Sequence, residues 1–268
     1  DFNPEDYMRK AEVRRWHSHV HQAVAAAQLA VNDSDVLTAG YEPERIATAV
    51  GTSVGTPDEH YLEYREHYET RDWRSMSKFA SSATSAHSAT AHVSARFKLR
   101  GPASTMGTGC STSLDVLSWG VQQIRSGRAD AAFVGATESP LTALNFSAFS
   151  ALGILSSHND EPETAMRPFD ASGEGVVLGE AAACLILARA SNARARGARI
   201  LGSVTSYGFS SEGNNPILIE KEGEALSRAI DAALQHGGFR PTEIDAVHGH
   251  GVALTMYDRG ETNAYTHS

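Results

Sequence analysis

Residues 103–135, ASTMGTGCSTSLDVLSWGVQQIRSGRADAAFVG, decide the fold. After the turn Gly101-Pro102, a short extended run from Ala103 reaches the small-residue corner Thr108-Gly109-Cys110. From Leu114 to Ile124 the apolar positions recur at helical spacing, and Ser126-Gly127 ends the pattern. Asp130 to Gly135 is then a compact apolar strand. Strand, corner, helix and strand in this order predict an α/β layer with a mainly parallel sheet, and they put Cys110 at a strand-to-helix corner.

The flanking sequence extends this reading. Tyr7 to Val31 predicts one long amphipathic helix, and Ile46 to Gly51 a buried strand entering the tight connection 51–55. Pro57 to Trp73 reads as surface helix or loop, and Ser75 to His92 as closely packed helix rather than linker. Ala181 to Leu187 and Ile200 to Tyr207 predict an antiparallel pair. Glu222 to Gln235 predicts an amphipathic helix capped by Gly237-Gly238, and Ile244 to Val247 a last strand delivering His248-Gly249-His250-Gly251.

Composition narrows the classes. With 268 residues, 41% hydrophobic and 21% charged, the chain can bury a sizeable core, so disorder, collagen and coiled coil are excluded as wholes. Lys and Arg total 23 against 32 Asp and Glu, a net charge of −9, which argues against a nucleic-acid or anionic-membrane surface. Cys110 and Cys184 form no metal-binding spacing, and a reduced, cytoplasmic setting is expected. No apolar run approaches the roughly 20 residues of a membrane span. The chain does not begin with Met and stops at Ser268 within a helical pattern, so a piece of a longer protein is expected.

Cys110 is the candidate nucleophile. A thiol at a helix start feels the positive end of the dipole, and neighbouring backbone amides can stabilise a thiolate and a developing oxyanion. Cys184, within the apolar run Ala181 to Leu187, reads as structural. His250 projects from a Gly-His-Gly corner, with His248 as its competitor. His17 and His21 share a helix face at metal-compatible spacing, but no nearby carboxylate or cysteine completes a site, so a solvated face is expected. Glu174, Asp258 and Glu261 are the acids of interest. Residues alone thus give an α/β enzyme with a Cys nucleophile and a His to assist it.

Gly101-Pro102, Thr108-Gly109-Cys110, Leu114-Asp115, the run Ile124 to Asp130, Asn159-Asp160-Glu161-Pro162, Arg167-Pro168-Phe169-Asp170 and Gly179-Glu180 together resemble the β-ketoacyl synthases. With Glu138 to Thr142 they look most like the catalytic ketosynthase subunit of bacterial type II polyketide synthases. The resemblance implies a thiolase-like fold, layered α/β/α/β/α with mixed central sheets and an incomplete second half. Residues 1–215 are then the first half lacking its opening strand, and 216–268 the start of the second. It selects His250 over His248, because Asp258 and Glu261 then follow by eight and eleven residues as the family pattern asks. It also implies an acyl-channel phenylalanine at Phe149 and a structural acid at Glu174.

The implied reaction is decarboxylative condensation of a Cys110-bound acyl chain with malonyl carrier protein, without metal or redox cofactor. Implied partners are an acyl carrier protein and either a second copy or a chain-length factor, paired through the strand after Asp130 and the surrounding helices. Arg9, Lys10, Arg14 and Arg15 are candidates for carrier docking, with a solvated helix face as the alternative. One departure stands out: where the family follows its histidine with Gly-Thr-Gly-Thr, whose hydroxyls hold the phosphopantetheine arm, this chain has Gly251-Val252-Ala253-Leu254. The family's second His and its Lys fall outside this chain. A fatty-acid elongating synthase and a non-catalytic, chain-length-factor-like subunit are the alternatives to a polyketide ketosynthase, and a Cys/His hydrolase is a distant one.

Overall fold

The computed structural model describes residues 2–55, 57–83, 85–215 and 219–268. In chain order its helices are α1 (Lys10–Val13), α2 (Ser18–Ser34), α3 (Pro57–Thr70), α4 (Ala80–Ala83), α5 (Ser88–Phe97), α6 (Thr112–Arg125), α7 (Ala143–Ala151), α8 (Ala190–Ala195), α9 (Glu224–Gly237) and α10 (Thr255–His267). The strands are β1 (Ile46–Gly51), β2 (Ala103–Ser104), β3 (Ala131–Glu138) and β4 (Ala181–Ala188). Backbone contacts group the chain into two compact units, Asp1–Ser147 with Gly179–Ser203, and Ala148–Leu178 with Val204–Ser268. The boundary expected at 215/216 adjoins 216–218, which lie outside the described residues.

The first unit is built on a mixed sheet of order β2-β1-β3-β4. β1 runs parallel to β2 and β3, with Thr48 opposite Phe133, and β4 is antiparallel to β3, with Leu185 opposite Val134. β1 is buried along its whole length, and successive residues serve opposite faces. Ile46, Val50, Ala131 and Phe133 join Val20, Val24 and Val93 of α2 and α5 in one cluster. Ala47, Ala49, Ala132 and Val134 join Val116 and Ile124 of α6 in the other. Two polar ties fix the layers. Arg45 donates to both oxygens of Asp130 at 2.9 Å, linking the entries of β1 and β3. The Thr90 hydroxyl accepts from the Val50 amide at 3.1 Å and lies 2.7 Å from the Thr105 hydroxyl, joining α5 to β1.

The expected strands at 46–51, 130–135 and 181–187 form, but the antiparallel partner of β4 is β3 rather than 200–207. Among the described residues neither 200–207 nor 244–247 carries a strand ladder, and Leu201 and Val247 are exposed. Apolar alternation alone makes no strand where no neighbour takes up the hydrogen bonds. The strand after Asp130 is β3, and both of its edges are occupied by β1 and β4, so it offers no edge for pairing with a second chain.

The long helix expected over 7–31 is broken. α1 ends at Val13, and His17 is extended before α2 begins. Trp16 packs on His92 with ring centroids 4.4 Å apart, and the Arg15 guanidinium stands 4.8 Å from the centre of the Phe79 ring, so tertiary contacts override the local period. Within 75–92 the described helices are α4 and α5, and the segment opens on a turn in which the Ser75 hydroxyl donates to the Asp72 carbonyl at 2.7 Å. His17, His19 and His21 are buried, which corrects the solvated face expected for them. That stretch of α2 faces the sheet, and the Thr137 hydroxyl donates to the His19 carbonyl at 2.8 Å. Among the described residues no group of three or more His, Cys, Asp or Glu is placed to hold a metal ion.

In the second unit α9 packs against α10 and ends as expected, with Gly238 in the left-handed conformation. α10 starts at Thr255, so Asp258 and Glu261 lie three residues apart on one helix face. No helix among the described residues is long and apolar enough to cross a membrane.

Candidate active site

Cys110 occupies a single 3-10 turn, Gly109–Ser111, that runs directly into α6. Gly109 has φ +65°, a conformation open to glycine, and the reversal leaves Cys110 exposed. Thr112 holds the turn from beneath: its hydroxyl accepts from the Thr108 amide at 2.9 Å and donates to the Gly109 carbonyl at 2.7 Å. Asp115 holds it from the side, accepting from the Thr108 hydroxyl and, at 3.0 Å, from the Ser111 hydroxyl. A carboxylate in the first turn of a helix is itself favoured there. The residues on both sides of Cys110 are thus tied to α6. Cys184, half-buried in β4, is the contrasting thiol: burial pushes it up to about 12, which disfavours its thiolate.

The second cluster surrounds His250. Glu261 accepts the His250 amide and, at 2.8 Å, the Gly251 amide, while the Tyr265 hydroxyl donates to the same carboxylate. Asp258 accepts the Val252 amide at 2.9 Å and the Phe169 amide at 2.7 Å. Two buried acids on one face of α10 therefore fix three successive amides, 250 to 252, and leave the His250 and His248 side chains exposed. Burial works against the charge on Glu261, but the Tyr265 hydroxyl and the two amides outweigh it and hold the carboxyl below its ordinary value. The same burial, with the Glu261 charge, pushes the Tyr265 phenol above its usual range.

The remaining expected positions are looser. Glu174 is exposed and accepts from Ser157 at 3.5 Å. Phe149 is half-buried in the last turn of α7, and Val252 and Leu254 are half-buried beside the histidine turn. Of the basic candidates, Arg9 is paired with Glu12 at 2.7 Å and Lys10 with Glu5 at 3.5 Å, while Arg14 and Arg15 are exposed. Sequence reasoning placed Thr108 only within the corner Thr108-Gly109-Cys110 and did not single out Thr112 or Tyr265. The signal for Tyr265 was present, since it stands four residues after Glu261 on a helix.

The sequence pattern described as beta-ketoacyl synthase, N-terminal domain, matches residues 5–193, and that described as beta-ketoacyl synthase, C-terminal domain, matches 201–268. A protein of Streptomyces cyaneus described as polyketide beta-ketoacyl synthase 1 is 36% identical over 270 residues, covering 98% of this chain and 64% of that protein. Among solved structures, the ketosynthase of a type II polyketide synthase, in complex with its acyl-carrier protein and bound to the hexaketide, superposes with a TM-score of 0.88 at 26% identity, over 93% of this chain and 62% of that one. The ishigamide ketosynthase/chain length factor gives 0.87 at 26%, over 98% and 64%. The fold is thus the thiolase-like fold of condensing enzymes. Within that class, the chain belongs to the β-ketoacyl synthase family. It spans slightly less than two thirds of the length of these relatives.

Proposed function

We propose that the protein is a β-ketoacyl synthase of polyketide biosynthesis, extending an acyl chain carried on an acyl carrier protein. The observation that carries this reading is Cys110, exposed on a turn that Thr112 and Asp115 hold at the start of α6. The Cys110 sulfur attacks the carrier thioester, the acyl group becomes a Cys110 thioester, and the pantetheine thiol leaves with a proton. Backbone amides at the helix start stabilise the tetrahedral oxyanion. A malonyl carrier thioester then loses carbon dioxide, and His250, together with the family's second histidine that falls outside this chain, stabilises the resulting enolate. The enolate carbon attacks the Cys110 thioester, a carbon–carbon bond forms, the carbon–sulfur bond breaks, and the Cys110 thiolate leaves and takes a proton from water.

In this reading Asp258 and Glu261 support the histidine turn and Glu174 is a further supporting acid. Phe149, Val252 and Leu254 border the substrate channel. The chemistry uses no metal or redox cofactor, and the setting is cytoplasmic. The relatives solved with a carrier protein and with a chain length factor support a carrier as substrate donor and a heterodimer as the working form, with a homodimer as the alternative. Intact mass after incubation of the full-length protein with an acyl carrier thioester tests the proposal. An acyl adduct that disappears in Cys110→Ala, followed by chain extension on adding malonyl carrier protein, is expected. No adduct from any carrier, alone or with a partner subunit, would favour a non-catalytic subunit.

A further inference from the structure

The segment Arg167-Pro168-Phe169-Asp170 contains a residue that the sequence used only as part of a motif. Phe169 has φ +62°, the left-handed region that a bulky side chain rarely enters. Its ring is half exposed, so burial does not explain why the fold keeps this backbone. Two contacts do. The Phe169 amide donates to Asp258 at 2.7 Å, and the other oxygen of that buried carboxylate takes the Val252 amide, so one side chain staples the strained residue to the histidine turn. The ring then lies across the turn itself. A methyl group added to Gly251 would stand 2.8 Å from Phe169 Cε2, and one added to Gly249 3.0 Å from Cζ. Both glycines that flank His250 are therefore roofed by this one ring.

Strain that the surroundings over-determine, next to a reactive group, marks a position whose geometry matters more than its stability. We infer that Phe169 is a positioning residue for His250: the left-handed backbone aims the ring onto Gly249 and Gly251, and the ring holds the turn that presents the imidazole. This rests on the proposed role of His250 in decarboxylation. Asp258 holds the Phe169 backbone through its amide, and Glu261 holds the amides of His250 and Gly251.

The test compares Phe169→Gly and Phe169→Leu in the full-length protein. Glycine removes the ring and also the strain, whereas leucine keeps the strain and part of the apolar cover. Positioning predicts that Phe169→Gly unfolds at a temperature no lower than Phe169→Leu. It also predicts that Phe169→Gly decarboxylates malonyl carrier protein roughly tenfold or more slowly, with Phe169→Leu between it and the wild type. Cys110 acylation should stay within about twofold in both, since that step does not use His250. A second readout needs no turnover: the carbon-13 imidazole resonance of His250, assigned with His250→Gln, should be single in the wild type and broadened or multiple in Phe169→Gly. Wild-type decarboxylation in Phe169→Gly, an equal fall in both steps, or an unchanged His250 resonance overturns the inference. If the wild type does not decarboxylate at all while the resonance responds to Phe169, the functional reading fails and the positioning role stands.

Discussion

The Ser111 hydroxyl donates to the Asp115 carboxylate at 3.0 Å, one turn into the helix that Cys110 introduces. The carboxylate also accepts from Thr108, so it links the residues before and after Gly109-Cys110. It places a negative charge on the turn that bears Cys110, and the two hydroxyls take up that charge.

Asp115→Ala should therefore separate thiol ionisation from turn geometry. Without the nearby charge, the pH midpoint of Cys110 alkylation by iodoacetamide should move to lower pH. The freed hydroxyls should loosen the turn, lowering stability by about 1 kcal/mol and slowing acyl transfer roughly tenfold. Asp115→Asn, which keeps one acceptor oxygen, should recover part of the transfer rate while still shifting the midpoint. An unmoved alkylation profile in both variants would show that the carboxylate charge does not reach Cys110.

Ala253 is buried and has φ +59°, within the loop where the family pattern carries its second glycine. An alanine held left-handed costs about 1 kcal/mol or more relative to glycine, which has no Cβ to clash with the carbonyl. Ala253→Gly should raise the urea unfolding midpoint, for a gain of about 0.5–1 kcal/mol after the extra freedom of glycine in the unfolded chain is subtracted. A lowered midpoint would mean that packing of the methyl group outweighs the backbone strain.

These two positions also show what the sequence reveals and what it hides. The β3 strand, α6 and the corner bearing Cys110 were legible in residues 103–135, because each has its own local signal: an apolar run, a helical period, a glycine that breaks both. The break at 14–17 was hidden, since no Pro or Gly marks it and the packing of Trp16 on His92 decides it. The acids of α10 were visible through the resemblance, but not that Asp258 reaches Phe169, 89 residues away in sequence. That contact depends on a left-handed phenylalanine, which no propensity predicts.

Glu261 ties the His250 turn to pH. Its folded-state pKa lies below the ordinary carboxylate value of 4.5, because its partners favour the charged form despite burial. A carboxyl depressed on folding adds stability that is complete above its unfolded pKa and is lost as pH falls through the folded one. Acid unfolding of the wild type should thus include a proton uptake below the ordinary carboxylate range that is missing in Glu261→Gln. The variant should be less stable at neutral pH, since an amide nitrogen cannot accept from the His250 or Gly251 backbone. Parallel acid-unfolding curves for the two proteins would remove Glu261 from this account.

Val252 and Leu254 bear on the carrier step of the proposed reaction. Both are half-buried at the histidine turn, where the family pattern places threonines that hold the phosphopantetheine arm. Neither side chain can donate or accept, so the amides and hydroxyl of an arm lying there would exchange water for apolar contact with no hydrogen bond in return. Restoring two hydroxyls should supply two such bonds, each worth about 0.5–1.5 kcal/mol. Val252→Thr with Leu254→Thr should therefore lower KM for the carrier thioester roughly fivefold or more, with kcat changed little, because the arm is bound alike before and during the reaction. The Val252 amide bond to Asp258 is a backbone contact and should survive the exchange, so thermal unfolding should move little. A KM that stays constant while kcat falls would mean that the apolar pair shapes the channel for the acyl chain, and that the arm is held elsewhere.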